Sequence, residues 1–283
     1  MSNALPQHAP LLQFPVKDDC LHIGGIALTQ LVQRVGTTPF YAYGRQQITD
    51  RVALLRQALP SEIQLHYAMK ANPMPAVVQH LASLVDGIDV ASVGEMKVAL
   101  DTPMSPGSVS FAGPGKKEHE LRCAIAAGVL LNVESPQEMT LIARLGNSLG
   151  IQPRVAIRIN PNFELKSSGM KMGGGPKPFG VDAECVPDLL KQISGLGLEC
   201  IGFHIFSGSQ NLNAAAIQDV HEKTVQLAIR LAEYAPSSIK LINMGGGFGI
   251  PYFPGERSLN LPLIGENLQR LSMILKQHLP AAR

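Results

Sequence analysis

The sequence has no run of about 18 apolar residues that could cross a bilayer. Its N-terminus, Met-Ser-Asn-Ala-Leu-Pro-Gln-His-Ala-Pro, has no basic region leading into an apolar segment. A soluble, cytoplasmic protein is expected, without a membrane partner. Clustered positive charge is also missing: the formal charge is +2 over 283 residues, with no lysine or arginine run. Neither nucleic acid nor an anionic surface is therefore implied, and a small molecule is the default ligand. Cysteine is scarce. Cys20, Cys123, Cys185 and Cys200 show no paired spacing and no accompanying histidine pattern, so they read as reduced thiols and no metal site is expected. Charged residues make up 16% of the chain, against a usual share of about 25%, so much of the surface is expected to be covered.

What is present is an alternation of apolar strands and amphipathic helices. Residues 1–20 are proline-rich and read as irregular surface chain, and residues 26–35 as a short helix. Phe40-Tyr41-Ala42-Tyr43, after a turn at Gly36-Thr37-Thr38-Pro39, reads as a strand outside the repeat that follows. Helical patterns at 48–59, 74–84, 94–101, 117–127, 136–149, 183–195 and 214–234 separate strands near 64–69, 87–91, 108–111, 129–133, 154–159, 200–206 and 240–244. A last helix is expected from Asn260 to His278. Alternation of this kind implies right-handed crossovers and a parallel sheet, hence the α/β class. Seven strands are countable, where a closed (β/α) barrel has eight.

The first of these strands delivers Lys70 to its C-terminal end, where Asn72-Pro73 breaks the strand before Ala76-Val77-Val78-Gln79-His80-Leu81 begins a helix. In a parallel barrel such turns lie on the face where active sites are built, so this amine can reach a bound carbonyl compound. Taken alone, a lysine at a loop start is usually just solvated. Gly245-Gly246-Gly247 follows the apolar strand Leu241-Ile242-Asn243-Met244, and glycines there let backbone N–H groups converge on an anion. The glycine-rich stretch from Ser167 to Gly180 has neither residue order of a nucleotide-binding loop. Because it follows the fifth strand, it is expected to form a mobile flap over the barrel mouth.

Three segments in order carry a family resemblance: Tyr-Ala-Met-Lys-Ala-Asn at 67–72, Gly-Phe-His-Ile-Phe-Ser-Gly-Ser-Gln at 202–210, and Asn-Met-Gly-Gly-Gly-Phe-Gly at 243–249. They resemble motifs of the fold-type III pyridoxal-phosphate-dependent decarboxylases, the group containing diaminopimelate, ornithine and arginine decarboxylases. The resemblance implies a (β/α)8 TIM-type barrel of the alanine-racemase-like fold, here without its eighth strand and without the C-terminal β domain. It implies an N-terminal segment, residues 1–45, whose strand 40–43 would join that β domain, and a pyridoxal-phosphate-binding barrel over residues 46–283. It also implies pyridoxal 5′-phosphate as cofactor, with Lys70 as the amine that holds it as a Schiff base and is the catalytic residue. The phosphate is expected on Gly245, Gly246, Gly247 and Ser209, while Arg158 and Asp89 reach the cofactor region. Glu95 is read as capping or charging the first turn of the helix after the second strand.

The chain departs from the pattern at the ring face. Family members carry a histidine where this sequence has Phe206, and His204 stands two residues earlier. Two positions apart on a strand, both are expected to face the same side, and both are candidates to pack on the cofactor ring. His204 also reads as a hydrogen-bonded core histidine, and Arg158 as half of a structural ion pair. The flap Gly-Met-Lys-Met-Gly-Gly-Gly, ending in Phe-Gly-Val-Asp, most resembles the subgroup encoded with exosortase and exopolysaccharide systems, related to enzymes acting on carrier-bound acyl amino acids. The resemblance therefore implies decarboxylation of an L-amino acid or a derivative, free or on an aminoacyl carrier protein, by a homodimer. A pyridoxal-phosphate homeostasis barrel without decarboxylase activity, or an amino-acid racemase, is the alternative. With the eighth strand unaccounted for, this chain alone is expected to be a poor decarboxylase.

Overall fold

A computed structural model describes residues 13–166, 169–171, 173–175 and 177–283. Seven parallel strands form one curled sheet: β1 (His66–Ala68), β2 (Gly87–Val90), β3 (Val109–Phe111), β4 (Leu130–Val133), β5 (Arg154–Asn160), β6 (Glu199–Ile205) and β7 (Leu241–Asn243). They lie in sequence order from β1 at one edge to β7 at the other. A two-residue strand, Val181–Asp182, also pairs in parallel with the end of β5. β3 and β4 are buried along their whole length, because helices cover the outside of the sheet while the strands curl around their own side chains. These strands accordingly read as near-continuous apolar runs.

The helices are α1 (Leu28–Val35), α2 (Arg45–Ala58), α3 (Pro75–Ala82), α4 (Val93–Leu100), α5 (Glu118–Ala127), α6 (Pro136–Leu149), α7 (Val186–Ile193), α8 (Ala214–Ala232) and α9 (Leu261–His278). Local chemistry sets several of their starts. Ser92 accepts from Glu95 N–H at 3.2 Å while the Glu95 carboxylate accepts from Ala91 N–H at 2.7 Å, and Ser135 and Glu138 repeat the arrangement before α6. Glu95 is thus a capping residue, as its position after Ser92 predicts. Asn213 and Asn260 cap α8 and α9. Among the described residues no helix is long and apolar enough to cross a membrane.

The helical layer closes where the sheet stays open. α9 packs on both α8 and α2, bridging the gap between the outer edges of β7 and β1. Lys276 of α9 pairs with Glu62, just before β1, at 2.8 Å. β1 and β7 share no ladder, as the count of seven strands predicts. The free edge of β7 is nevertheless engaged: Ile242 N–H donates to the Arg283 carbonyl at 3.0 Å, and Arg283 N–H donates to the Lys240 carbonyl at 3.1 Å. This is the hydrogen-bond pattern of a parallel strand pair.

Two expectations for the N-terminal region fail. Phe40 to Tyr43 is not a strand, and Tyr41 and Tyr43 are exposed; the alternation is present, but a strand also needs a ladder partner, and none lies beside this segment among the described residues. Residues 16–27, in contrast, form three short antiparallel strands, Val16–Lys17, Cys20–Ile23 and Ile26–Ala27, so the expected helix begins only at Leu28.

Candidate functional site

A belt of polar side chains from successive strands crosses the sheet. His66 Nδ1 lies 3.0 Å from Asp89 Oδ1, Ser110 Oγ donates to the same oxygen at 2.9 Å, and Asn132 Nδ2 donates to Ser110 Oγ at 3.1 Å. From β7, Asn243 Nδ2 reaches Asp89 Oδ2 at 3.5 Å, spanning the open side of the barrel. On β6, His204 stands in register with Arg158 of β5 on one side and Asn243 on the other. Of this belt, the sequence reading named only Asp89, Arg158 and His204. The others had a visible signal, since His66, Ser110, Asn132 and Asn243 are polar residues within apolar strands of a barrel.

The belt's electrostatics follow from burial and pairing. Burial alone would raise the Asp89 carboxyl, but the hydrogen bond and charge of His66, with Ser110 and His204, hold it below the usual carboxylate range. Burial alone would lower His66, but Asp89 outweighs it and the imidazole is raised. His204 behaves oppositely: burial first, then the Arg158 charge, push it down to about 4, so it is neutral at pH 7. Its Nδ1 is buried and has no hydrogen-bond partner among the described residues.

Lys70 sits just past β1, in a single turn of 3₁₀ helix from Met69 to Ala71. Met69, fully buried, anchors the turn; Tyr67 Oη donates to the Asn72 carbonyl at 3.0 Å, and Asn72 Oδ1 accepts from Met74 N–H at 3.0 Å. The sequence around Lys70 thus fixes the backbone on both sides of it. The side chain itself is exposed.

Across the opening, Gly245 and Gly247 adopt φ of 70° and 85°, which glycine takes without strain. Gly245 N–H is already given to Asn243 Oδ1 at 2.8 Å, so the expected three converging donors are here Gly246 and Gly247. A side chain at Gly247 would strike the Gly208 carbonyl, whereas one at Gly246 would meet open space. Phe206 lies beyond the end of β6 at Ile205, with its ring against Gly245. The alternation expected to keep it beside His204 ends with the strand. Ser209 is half-buried in a two-residue strand, Gly208–Ser209, antiparallel to Met170–Lys171. Ser207, which sequence reasoning passed over, is buried, and its Oγ has no hydrogen-bond partner among the described residues. It lines a small cavity with Phe206, His221, Met244 and Gly246.

Arg158 is 8% exposed and forms the ion pair that its place in an apolar strand predicts, with Glu134 Oε1 at 2.9 Å. Phe179 covers the guanidinium at 4.8 Å from the ring centroid. Of the flap, Ser167, Ser168, Met172 and Pro176 lie outside the described residues, but its return through Phe179 and Gly180 is seated on this pair.

Lys70 and the glycine turn thus stand on either side of the barrel opening, with Asp89, Arg158 and His204 between them. The profile of the pyridoxal-dependent decarboxylases, pyridoxal binding domain, matches residues 45–282. The chain belongs to this family. A pyridoxal-dependent decarboxylase is built around pyridoxal phosphate, and the residues fit that group: His204 Nδ1 and Ser207 Oγ are buried without partners among the described residues, and Gly246 faces open space.

The chain is 36% identical over 240 residues to the L-glutamyl-[BtrI acyl-carrier protein] decarboxylase of Niallia circulans, covering 83% of this chain and 55% of that protein. It is 35% identical over 256 residues to the diaminopimelate decarboxylase of Aquifex aeolicus, covering 89% and 60%. The structure of diaminopimelate decarboxylase from M. jannaschii in complex with L-lysine superposes with a TM-score of 0.84 at 27% identity, covering 94% of this chain and 64% of that one. The chain therefore spans little more than half the length of these two sequence relatives.

Proposed function

We propose that this barrel serves the decarboxylation of an L-amino acid or an amino-acid derivative, with Lys70 as the catalytic amine. The observation that carries the reading is the placement of Lys70 and the Gly245–Gly247 turn across one opening, above a belt containing an ionised Asp89 and a neutral His204. Pyridoxal phosphate, when bound, supplies the electron sink that lets the α-carboxylate leave as CO2.

The chain's own residues have separate tasks. Lys70 would hold the cofactor through its amine. Gly246 and Gly247 N–H groups, with the hydroxyls of Ser207 and Ser209, would donate to the phosphate. His204 offers an uncharged imidazole to the ring region, and Phe206 packs the phosphate turn. Arg158 brings a fixed cation and Asp89 a fixed anion to the belt, so charge is arranged before any ligand arrives.

The similarity to the acyl-carrier-protein glutamyl decarboxylase favours an amino acid carried on such a protein as substrate. The resemblance of the loop before Phe179 to the exosortase-associated subgroup supports a cytoplasmic role linked to exopolysaccharide systems. We also propose that residues 46–283 are one cofactor-binding domain, preceded by the segment 1–45, and that the working protein is a homodimer.

The test is turnover. Protein carrying this barrel is incubated with pyridoxal phosphate and a panel of free and carrier-bound L-amino acids, and CO2 and amine are measured. Amine formation from one member supports the reading; D-amino acid without CO2 shows a racemase instead, and no conversion of any substrate by a cofactor-loaded protein favours a homeostasis barrel.

A further inference from the structure

We propose that Glu134 is a positioning residue through which the return of the 161–180 loop sets the direction of Arg158, an inference that rests on the cofactor reading above.

Glu134 follows β4 directly, and its side chain is 1% exposed. Each of its carboxylate oxygens is used. Oε1 accepts from Arg158 Nη1 at 2.9 Å and from Gly113 N–H, and Oε2 accepts from Gly180 N–H at 3.2 Å. One carboxylate therefore joins the loop after β3, the strand β5 and the loop that returns from β5. Phe179, the neighbour of Gly180, covers the guanidinium of the same Arg158. Two consecutive residues of the returning loop thus touch both members of one buried ion pair.

The barrel side of this arrangement is rigid. Glu134 N–H donates to Glu138 Oε2 at 2.7 Å, and Glu138 Oε1 pairs with Lys116 Nζ at 2.9 Å, the lysine side chain being 1% exposed. The loop side is held by closeness rather than bulk. Gly180 has φ of 78°, and a Cβ there would lie 2.9 Å from the Arg158 carbonyl oxygen and 3.0 Å from Asn160 N. Only glycine lets the loop lie backbone to backbone on β5. Asn160 Nδ2 adds bonds to the Gly175 carbonyl at 3.0 Å and to Asp182 Oδ1 at 2.7 Å.

A buried ion pair of this kind adds little net stability, because desolvation of both charges offsets their attraction. Its value lies in direction. With Glu134 on one edge of the guanidinium and Phe179 over one face, Arg158 is restricted in where it can aim its remaining N–H donors. A shift of the Phe179–Gly180 return would loosen both restraints at once, so the loop and Arg158 act as a unit.

The test uses Glu134→Gln, Phe179→Leu and the double variant, read by pyridoxal phosphate affinity from the absorbance of the lysine-bound cofactor, by tryptic cleavage after Lys166, and by thermal midpoint. Each single variant is expected to weaken affinity about tenfold and to speed cleavage, with the double variant no worse than the weaker single, because coupled residues are non-additive. Additive losses, or a lowered midpoint with affinity and cleavage unchanged, would overturn the proposal in favour of a purely structural ion pair. If Glu134→Gln does not fold, Phe179→Leu alone decides, since unchanged affinity and cleavage in that variant contradict the coupling. If the parent protein takes up no cofactor, the functional reading fails, while the cleavage comparison on the unloaded protein still tests the coupling by itself.

Discussion

His66 and Asp89 face each other from β1 and β2 with Nδ1 and Oδ1 3.0 Å apart, each shifting the other toward its charged form against the effect of burial. The pair places a fixed anion in the belt near Lys70. Its strength should depend on pH with a defined sign. His66 is raised in the folded state, so its contribution is complete below the unfolded value of about 6.5 and fades as pH climbs through the folded value. Asp89 is depressed, so its contribution is complete above about 3.9 and is lost as pH falls through the folded value. The stabilisation is therefore fullest between roughly pH 4 and pH 6.5. Thermal melts of His66→Ala against the parent should show a larger deficit at about pH 5.5 than at about pH 8.5; equal deficits would show that the pair is not charged.

Gly246 and Gly247 of the expected phosphate turn should separate binding from folding. Gly246→Val adds bulk to open space and should leave the thermal midpoint nearly unchanged while weakening pyridoxal phosphate binding. Gly247→Val meets the Gly208 carbonyl at a positive φ and should cost more than about 1 kcal/mol of stability. Equilibrium unfolding and cofactor titration on both variants check this, and unimpaired cofactor binding by Gly246→Val would remove the turn from the site.

Lys116 and Glu138 make a second test of burial. Burial raises the Glu138 carboxyl even though Lys116 pulls it down. Lys116→Met would leave a buried carboxylate without its cation, at a cost of about 3–5 kcal/mol near neutral pH. The cost should shrink toward pH 5, because a carboxyl raised further by loss of the lysine takes up a proton more readily as pH falls. Denaturant unfolding at both pH values measures the difference, and a pH-independent loss would point to packing instead.

Much of this architecture was readable from residue order. The seven barrel strands stand where apolar runs place them, because strands buried on both faces leave little room for polar residues, and Ser-x-x-Glu before α4 and α6 marks two helix starts. The segment 40–43 shows the limit of alternation, which reports a pattern but not a partner. The site divides in the same way. Lys70 and the glycine turn carry local signatures, whereas Glu134 acquires its place only by meeting Gly180, 46 residues away, and Ser207 only through the cavity behind the glycine turn. Contacts made across loops leave no local pattern to read.

The proposed role of Lys70 as the amine that holds the cofactor can be tested directly. Borohydride fixes pyridoxal phosphate to whichever amine carries it, and peptide mass mapping then locates the label. A phosphopyridoxyl group is expected on the peptide containing Lys70, and its loss is expected in Lys70→Ala. A label on another lysine, or one retained in Lys70→Ala, would contradict it.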